Sequence, residues 1–278
     1  MQNETASEAI LAGATAWWRT GIVDIHPGVI NLRGYPVQQL IGKIDFVSMI
    51  WLMLKGELPS AGKARLLEAA LVASVDHGPQ APSISIARMA STCGVGINNA
   101  MASGVNALGD VHGGAGQQCL EVYETIAIKA GEGASEGALA DAIATQIAVR
   151  KHLPGFGHRF HPVDPRAAPL LGLVEEAVAA GEVSGRYLKV ARTVEKVLHD
   201  VKKKPIPMNI DGATAVIFGE LGFTPIEARG LFILSRSVGI LSHAFEQMQQ
   251  GGRIKGPMPT NIPYTYDGVA RRNLEAES

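Results

Sequence analysis

Apolar residues recur three and four positions apart along most of the chain, which is the spacing of one face of an α-helix. This spacing predicts long helices over residues 117–129, 135–149, 166–180, 185–201 and 225–250. The last has Thr224 as its N-cap, Pro225 at the first helical position and Glu227 three residues after the cap, and Gly251-Gly252 follows its end. Strand signals are confined to residues 22–25 and 29–32, which predict one small hairpin. The pattern therefore indicates an all-α fold with at most this N-terminal hairpin.

Two shorter helices have clear start and stop signals. Asp45 can cap a helix through Leu54, which the Leu58-Pro59 step stops. Ser60 can cap the next helix, which we expect to end at residues 76–79.

Two segments have a composition that indicates close packing. Between residues 85 and 108 small side chains recur at helical spacing, which favours a helix at the centre of a bundle or at a subunit interface. Residues 231–243 form the most apolar stretch, but they are too few to span a bilayer and so predict a buried core helix. Arg236 lies at its centre, and an unpaired buried charge is costly, so we expect an anionic partner for it.

Three polar islands interrupt this apolar chain, and each places one proton-transfer side chain among glycines. They are Gly109-Asp-Val-His-Gly-Gly-Ala-Gly116 with His112, Leu153-Pro-Gly-Phe-Gly-His-Arg159 with His158, and Pro207-Met-Asn-Ile-Asp-Gly212 with Asp211. Any one alone has a structural explanation, as a hydrogen-bonded histidine between helices or as an Asp at a turn or cap. Together, two imidazoles and a carboxylate favour general acid-base chemistry on carbon.

Charge and cysteine content narrow the class of protein. The 278 residues carry a formal net charge of −1, which gives no reason to expect binding to nucleic acid or to an anionic membrane. The two cysteines, Cys93 and Cys119, have neither a CxxC spacing nor a metal-ligand spacing, so we expect two buried thiols and no metal. Residues 1–8 lack the pattern of a secretory signal, which favours a cytoplasmic protein.

An anionic ligand must then be bound by local basic groups. Arg166 and Arg236 are candidates for binding a carboxylate, with an ion pair between Arg166 and Asp164 on the surface as the alternative for the first. His77 is either a ligand contact or the end of a helix. The run Lys202-Lys-Lys204 could meet the phosphates of a cofactor, although such a run is usually a solvated face.

Read together, the segments resemble the citrate synthase family. The resemblance rests on Ile30-Asn-Leu-Arg-Gly-Tyr-Pro36, Leu54-Lys-Gly-Glu-Leu-Pro59, the three islands, Asp164-Pro-Arg166 and Leu234-Ser-Arg-Ser-Val-Gly239, which occur in the family's order. Asp76-His-Gly-Pro79 is similar to the compact citryl-CoA lyase branch and to the lyase end of ATP-citrate lyase, whereas citrate synthases tend to have Asp-His-Glu. His112 departs from ATP-citrate lyase, which lacks this histidine.

The resemblance implies a two-lobed helical fold, with residues 1–115 plus 222–278 as the large lobe and 116–221 as the small one. It implies a homodimer or a higher homo-oligomer. By the same resemblance His112, His158 and Asp211 are catalytic, and His77, Arg166 and Arg236 bind substrate. Coenzyme A, present as an acyl-CoA substrate, would contact Gly155, Gly157, Arg159, Lys203 and Lys204.

The reaction that the resemblance implies is the making or breaking of the C–C bond between acetyl-CoA and oxaloacetate. A citryl-CoA lyase makes or cleaves citryl-CoA without hydrolysing its thioester. The alternative enzyme is a citrate or methylcitrate synthase that hydrolyses the thioester and releases CoA, and the alternative of another class is a non-catalytic CoA-binding helical scaffold. Citrate synthases usually have an Arg-Pro near the C-terminus, whereas this chain has Arg253-Ile-Lys-Gly-Pro-Met-Pro259, so Arg253 or Lys255 could take that place.

Overall fold

A computed structural model describes residues 11, 13–14, 16–150, 152–157 and 162–274. From residue 21 on, these described residues form eleven helices and one small antiparallel sheet. The helices are Val37–Leu40 (α1), Phe46–Lys55 (α2), Ala61–Ser74 (α3), Pro82–Ser91 (α4), Ile97–Asn106 (α5), Ala115–Ala130 (α6), Glu136–Ala148 (α7), Ala167–Ala179 (α8), Arg186–Lys202 (α9), Ile210–Glu220 (α10) and Pro225–Gln250 (α11). The predicted all-α class is confirmed. His158, Arg159 and the segment 1–8 lie outside the described residues.

The sheet contains the predicted hairpin and one strand more. β1 (Val23–His26) pairs with β2 (Val29–Leu32), and β2 pairs with β3 (Tyr35–Pro36), in the order β1-β2-β3. The strand β3 has only two residues, so it offers no alternation for a pattern to detect. The reversal at Arg33-Gly34, where φ is +49° and +85°, brings it alongside β2.

The starts of α2 and α11 are capped by the side chains that the sequence predicts as caps. The Ser48 backbone N–H donates to Asp45 Oδ1 at 2.6 Å, and α2 begins at Phe46, directly after Asp45. At the start of α11 the Thr224 N–H donates to Glu227 Oε2 at 2.7 Å while the Glu227 N–H donates to Thr224 Oγ1 at 3.3 Å. This reciprocal pair is the capping box that the sequence predicts.

The segment 85–108 is not one helix, as its spacing of small residues suggested, but two. The chain leaves α4 and reaches Gly94, whose φ of +83° ends helical geometry before α5 begins. The small residues do allow close approach, because a methyl group at Gly104 would lie 2.7 Å from the Ser83 carbonyl oxygen. The prediction of close packing is therefore right, and the prediction of continuity is wrong.

The structure contains a helix that the sequence did not predict, and it corrects the prediction for one of the two cysteines. Helix α10 was not predicted, because residues 212–219 are all buried and an element that is buried on every side has no periodic pattern. Cys119 is buried as expected. The prediction that Cys93 is also buried is wrong, because this residue is exposed in the turn that follows the end of α4 at Ser91. None of the described helices combines the length and the apolar composition that crossing a membrane requires.

The described chain divides into two compact units. The first contains the residues up to Ala73 together with Ala115–Leu231, and the second contains Ser74–Gly114 together with the residues from Phe232 on. Helix α11 continues from one into the other. The first core includes Leu67, Tyr123, Ile143, Leu171 and Ile217, and the second includes Ile84, Ala87, Ala100, Ile240 and Ala244. The functional lobes 1–115 plus 222–278 and 116–221 stay a prediction.

Candidate active site

Asp211 is the second residue of α10, and its position is set by the residue that caps the helix. Asn209 is the N-cap, and its Oδ1 accepts from the Asp211 N–H at 3.0 Å and from the Gly212 N–H at 3.3 Å. The Asp211 side chain is half-buried. A methyl group at Gly116, in the first turn of α6, would lie 3.8 Å from Asp211 Oδ1. The carboxylate therefore sits on a fixed helix end beside a residue that has no side chain.

The glycine-rich segment 153–157 is held against the start of α10. The Gly157 N–H donates to the Pro207 carbonyl at 2.8 Å, and the Asn209 N–H donates to the Gly155 carbonyl at 3.0 Å. Asn209 Nδ2 also donates to the Gly157 carbonyl at 2.6 Å. Gly155 and Gly157 adopt φ of +85° and +76°, which side chains rarely permit. The structure thus places the two glycines predicted to meet CoA beside the helix that carries Asp211.

Arg166 forms an ion pair with Asp164, but the pair is not the surface contact that the sequence left open. Arg166 Nε and Nη2 donate to Asp164 Oδ1 and Oδ2, both at 2.9 Å, and the Asp164 side chain has no exposed area. Asp164 Oδ2 also accepts from the Ile210 N–H at 2.9 Å. Asp164 therefore joins the predicted substrate-binding arginine to the first residue of α10.

The ionisation of Asp164 follows from these partners. Burial opposes its charge, but the hydrogen bonds from Arg166 and from the Ile210 backbone outweigh that penalty and hold the pKa of Asp164 at about 2. The residue is therefore a carboxylate whenever the protein is folded near neutral pH. Sequence reasoning missed both Asp164 and Asn209 as organisers of this region, although each lies within a motif that it quoted.

His112, in the second unit, has a defined tautomer. Its Nε2 lies 3.1 Å from the Ser83 backbone nitrogen and 3.0 Å from Ser83 Oγ. A backbone N–H can only donate, so Nε2 is the acceptor and the proton of the neutral ring is on Nδ1. Burial, and then the positive charge of Arg236, lower the pKa of His112 below its ordinary value of 6.5. A neutral imidazole with an Nδ1–H donor results.

Arg236 is buried within the same unit, with 6% of its surface exposed. Its Nε donates to the Ser74 carbonyl at 3.1 Å, and its guanidinium lies 5.0 Å from the centre of the Phe232 ring. The prediction of a buried core helix over residues 231–243 is right for one face only, because Leu231, Arg236 and Ile240 are buried whereas Leu234 and Val238 are about half exposed. An anionic partner for Arg236 stays a prediction.

The remaining candidates lie at chain reversals. His77 is exposed in the connection between α3 and α4, and α3 ends at Ser74, slightly before the predicted end. Lys203 and Lys204 are exposed just after α9. Among the described residues, no group of three or more His, Cys, Asp and Glu side chains could hold a metal ion.

The candidate residues thus form two groups, each inside one unit. Asp211, Arg166, Gly155 and Gly157 lie in the first unit together with Lys203 and Lys204, and His77, His112 and Arg236 lie in the second. In the first group, Gly155 and Gly157 contact the start of α10 directly and Arg166 reaches it through Asp164. In the second group, Arg236 and His112 interact electrostatically.

Comparison with known proteins agrees with this fold and these motifs. A family model described as the citrate synthase C-terminal domain matches residues 61–257. The chain belongs to the citrate synthase family. It is 29% identical over 205 residues to a citrate synthase of Acidithiobacillus ferridurans, which covers 70% of this chain and 50% of that protein. The chain spans about half the length of such citrate synthases.

Solved structures show the same relationship. The structure of citryl-CoA lyase from Hydrogenobacter thermophilus superposes with a TM-score of 0.83 at 31% identity, over 93% of this chain and 98% of that one. ATP citrate lyase from Methanothrix soehngenii, in complex with citrate and coenzyme A, shares the fold with a TM-score of 0.74 at 21% identity, over 94% of this chain and 44% of that one.

Proposed function

We propose that this protein makes and breaks the C–C bond of citryl-CoA, in the reaction citryl-CoA = acetyl-CoA + oxaloacetate. The observation that carries the proposal is the tautomer of His112. Enolisation of a thioester requires a hydrogen-bond donor at the developing oxyanion, and a neutral imidazole with an Nδ1 proton supplies one. The choice of lyase is supported by the similarity to a citryl-CoA lyase along nearly the whole of both chains.

Each candidate residue has one role in the proposed reaction. Toward citryl-CoA, the Asp211 carboxylate removes a proton from the methyl group of acetyl-CoA, and His112 donates a hydrogen bond to the enolate oxygen. The enolate carbon attacks the carbonyl carbon of oxaloacetate, and His158 donates a proton to the carbonyl oxygen. In reverse, His158 takes the hydroxyl proton, the C–C bond breaks, and Asp211 returns a proton to the enolate.

The substrates are anions, and we assign the basic side chains to them. Arg166, Arg236 and His77 bind the carboxylates of the oxaloacetate part. Coenzyme A follows the backbone of Gly155 and Gly157, where the absence of side chains allows close approach. Its phosphates pair with Arg159, Lys203 and Lys204, of which the two lysines are exposed after α9.

The role of Asp211 can be tested by isotope exchange. In the Asp211→Asn variant the base is lost while the size of the side chain is kept, so deuterium uptake into the methyl group of acetyl-CoA should fall by about 10²- to 10⁴-fold. NMR or mass spectrometry measures the uptake. Asp141→Asn on α7 is the control, because Asp141 is exposed, and it should exchange like wild type. Exchange at the wild-type rate by Asp211→Asn would refute the assignment.

Lyase and synthase differ in the fate of the thioester. A citryl-CoA lyase converts added citryl-CoA to acetyl-CoA and oxaloacetate and releases no free thiol. A citrate or methylcitrate synthase given an acyl-CoA and a 2-oxo acid releases free CoA. A thiol assay on both reactions therefore decides between them, and steady release of CoA would replace the lyase proposal by the synthase.

We further propose that the protein is a homodimer or a higher homo-oligomer located in the cytoplasm. Leu234, Val238, Leu241 and Phe245 on α11 are each 42% to 55% exposed, and their spacing of four, three and four residues puts them on one face of the helix. A row of apolar side chains of this size is typical of a surface that a second subunit covers.

A further inference from the structure

One face of α11 contacts the backbone of the chain segment that leads to His77. Arg236 Nε donates to the Ser74 carbonyl at 3.1 Å. A methyl group at Gly239 would lie 2.3 Å from the Val75 carbonyl oxygen, so the helix touches this backbone where it has no side chain. Three and four residues apart, positions 236, 239 and 243 lie on the same side of the helix.

His243 completes this face by contacting the next residue of the segment. Its Nε2 lies 3.3 Å from Asp76 Oδ2, and its Nδ1 lies 3.0 Å from Arg88 Nη1. A guanidinium can only donate, so Nδ1 accepts and Nε2 carries the proton that is donated to Asp76. Arg88 is itself fixed, because it donates to Glu246 and Gln250 and only 14% of its side chain is exposed. The orientation of the His243 ring is therefore determined on both sides.

Asp76 connects His243 to the backbone on the far side of His77. Its Oδ2 also accepts from the Gly78 N–H at 3.1 Å, so one carboxylate oxygen holds α11 and the residue after His77. The backbone before His77 is held by the Ser74 and Val75 contacts. His77 is exposed, and its backbone is fixed at both ends. A side chain that is placed in advance loses less conformational entropy when a ligand binds.

We infer that His243 and Asp76 are positioning residues, which hold His77 in place for a carboxylate of the oxaloacetate part of the substrate. This inference rests on the proposed function, because that function assigns His77 to the substrate. Neither His243 nor Asp76 needs to contact the substrate. The chemistry of CoA binding and of enolisation is left to other residues.

The test compares two substitutions at His243 in the full chain. His243→Leu removes the donor to Asp76, whereas His243→Gln can still donate from its amide. Ser242→Ala on the same helix is the matched control, because the Ser242 hydroxyl donates only to the Val238 carbonyl of its own helix. Calorimetry measures the Kd of oxaloacetate and of CoA, and a steady-state assay measures kcat and KM for cleavage of citryl-CoA.

We expect His243→Leu to raise the Kd of oxaloacetate and the KM of citryl-CoA about tenfold, which is the effect of losing one modest interaction. Its kcat should stay within about threefold of wild type, and its Kd for CoA should not change, since the bases and the CoA contacts are intact. His243→Gln should recover most of the loss. Asp76→Ala, which removes the oxygen that accepts from both His243 and Gly78, should reproduce the selective loss if His243→Leu does not fold.

The possible failures are distinguishable. A wild-type protein that neither cleaves citryl-CoA nor binds oxaloacetate overturns the proposed function and, with it, the substrate for His77. If the wild type is active, an unchanged oxaloacetate Kd in His243→Leu overturns the positioning role alone. Equal losses for oxaloacetate and CoA, or a matching loss in Ser242→Ala, would show general damage to the fold and would also overturn it.

Discussion

The tautomer and the protonation state of His112 are set by one backbone group, by burial and by one nearby charge. Ser83 is the second residue of α4, so its backbone N–H has no carbonyl acceptor within the helix. The imidazole Nε2 of His112 accepts this hydrogen bond instead. Burial, and then the positive charge of Arg236, disfavour a second proton on the ring. The histidine is therefore kept as a hydrogen-bond donor and not as a cation, which suits the stabilisation of an enolate.

This state gives a pH dependence with a definite sign. Because the folded pKa of His112 is lowered, activity that needs the neutral ring should persist below pH 6.5 and fall only as the pH drops through the folded pKa. The unfolded chain binds the proton more readily, so this group's contribution to stability is also lost as the pH falls from 6.5 toward the folded pKa. NMR titration of ¹⁵N-labelled histidine, with His112→Gln to assign the signal, measures it. A folded pKa at or above 6.5 would contradict the prediction.

Asp164 shows linkage of the same sign, but at a lower pH. Its pKa falls from 3.8 to about 2 on folding, which corresponds to a contribution of about 2 kcal/mol to the free energy of unfolding at neutral pH. This contribution is present above pH 3.8 and is lost as the pH falls through about 2. Asp164→Asn should lower the free energy of unfolding at pH 7 by about 2 kcal/mol or more, measured by urea denaturation. Asp141→Asn, at an exposed position, should change it little.

At the scale of elements, the close contact between α10 and the segment 153–157 depends on glycines at both sides. A methyl group at Gly212 would lie 2.4 Å from the Gly155 carbonyl oxygen and 2.4 Å from Met208 Cγ. At Gly172 in α8, by contrast, a methyl group would have no atom within 4 Å. A methyl group therefore has room at Gly172 but not at Gly212.

Substitution by alanine should separate them. Gly212→Ala should lower the free energy of unfolding by about 1–3 kcal/mol because a packed contact must open, and activity should fall with it. Gly172→Ala should raise it by up to about 1 kcal/mol, because alanine favours the helix. Thermal or urea denaturation measures both. A neutral Gly212→Ala variant would mean that the segment 153–157 moves away without cost.

The elements that could be predicted are those whose signals are local. Caps such as Asp45 and Thr224 fix helix starts through bonds to residues only three positions away, and the structure confirms them. Helix α10 could not be predicted, because burial on all sides removes the polar positions that reveal a period. The break at Gly94 was missed because the small residues on each side continue the same spacing.

For the whole molecule, the exposed apolar face of α11 predicts self-association. Wild type should sediment as a dimer or a larger assembly, and Val238→Lys combined with Phe245→Lys should shift it toward monomer, since two charges would have to be desolvated. Val72→Lys is the control, because Val72 is 67% exposed and belongs to a different helix, α3. Analytical ultracentrifugation measures the mass, and a monomeric wild type would contradict the prediction.

The sequence by itself determined that the chain is helical, where most helices begin, which polar islands carry acid-base groups, and to which family the motifs belong. All of this rests on neighbours within a few residues or on the order of motifs. Only the tertiary structure decided that Asp164 is buried against Arg166 and the start of α10, that Ser83 selects the tautomer of His112, and that His243 holds Asp76. The contacts of Asp164 with Ile210, of Ser83 with His112 and of His243 with Asp76 join residues far apart in the chain. Folding alone brings these groups together, so the ionisation and orientation of the site are properties of packing and not of local sequence.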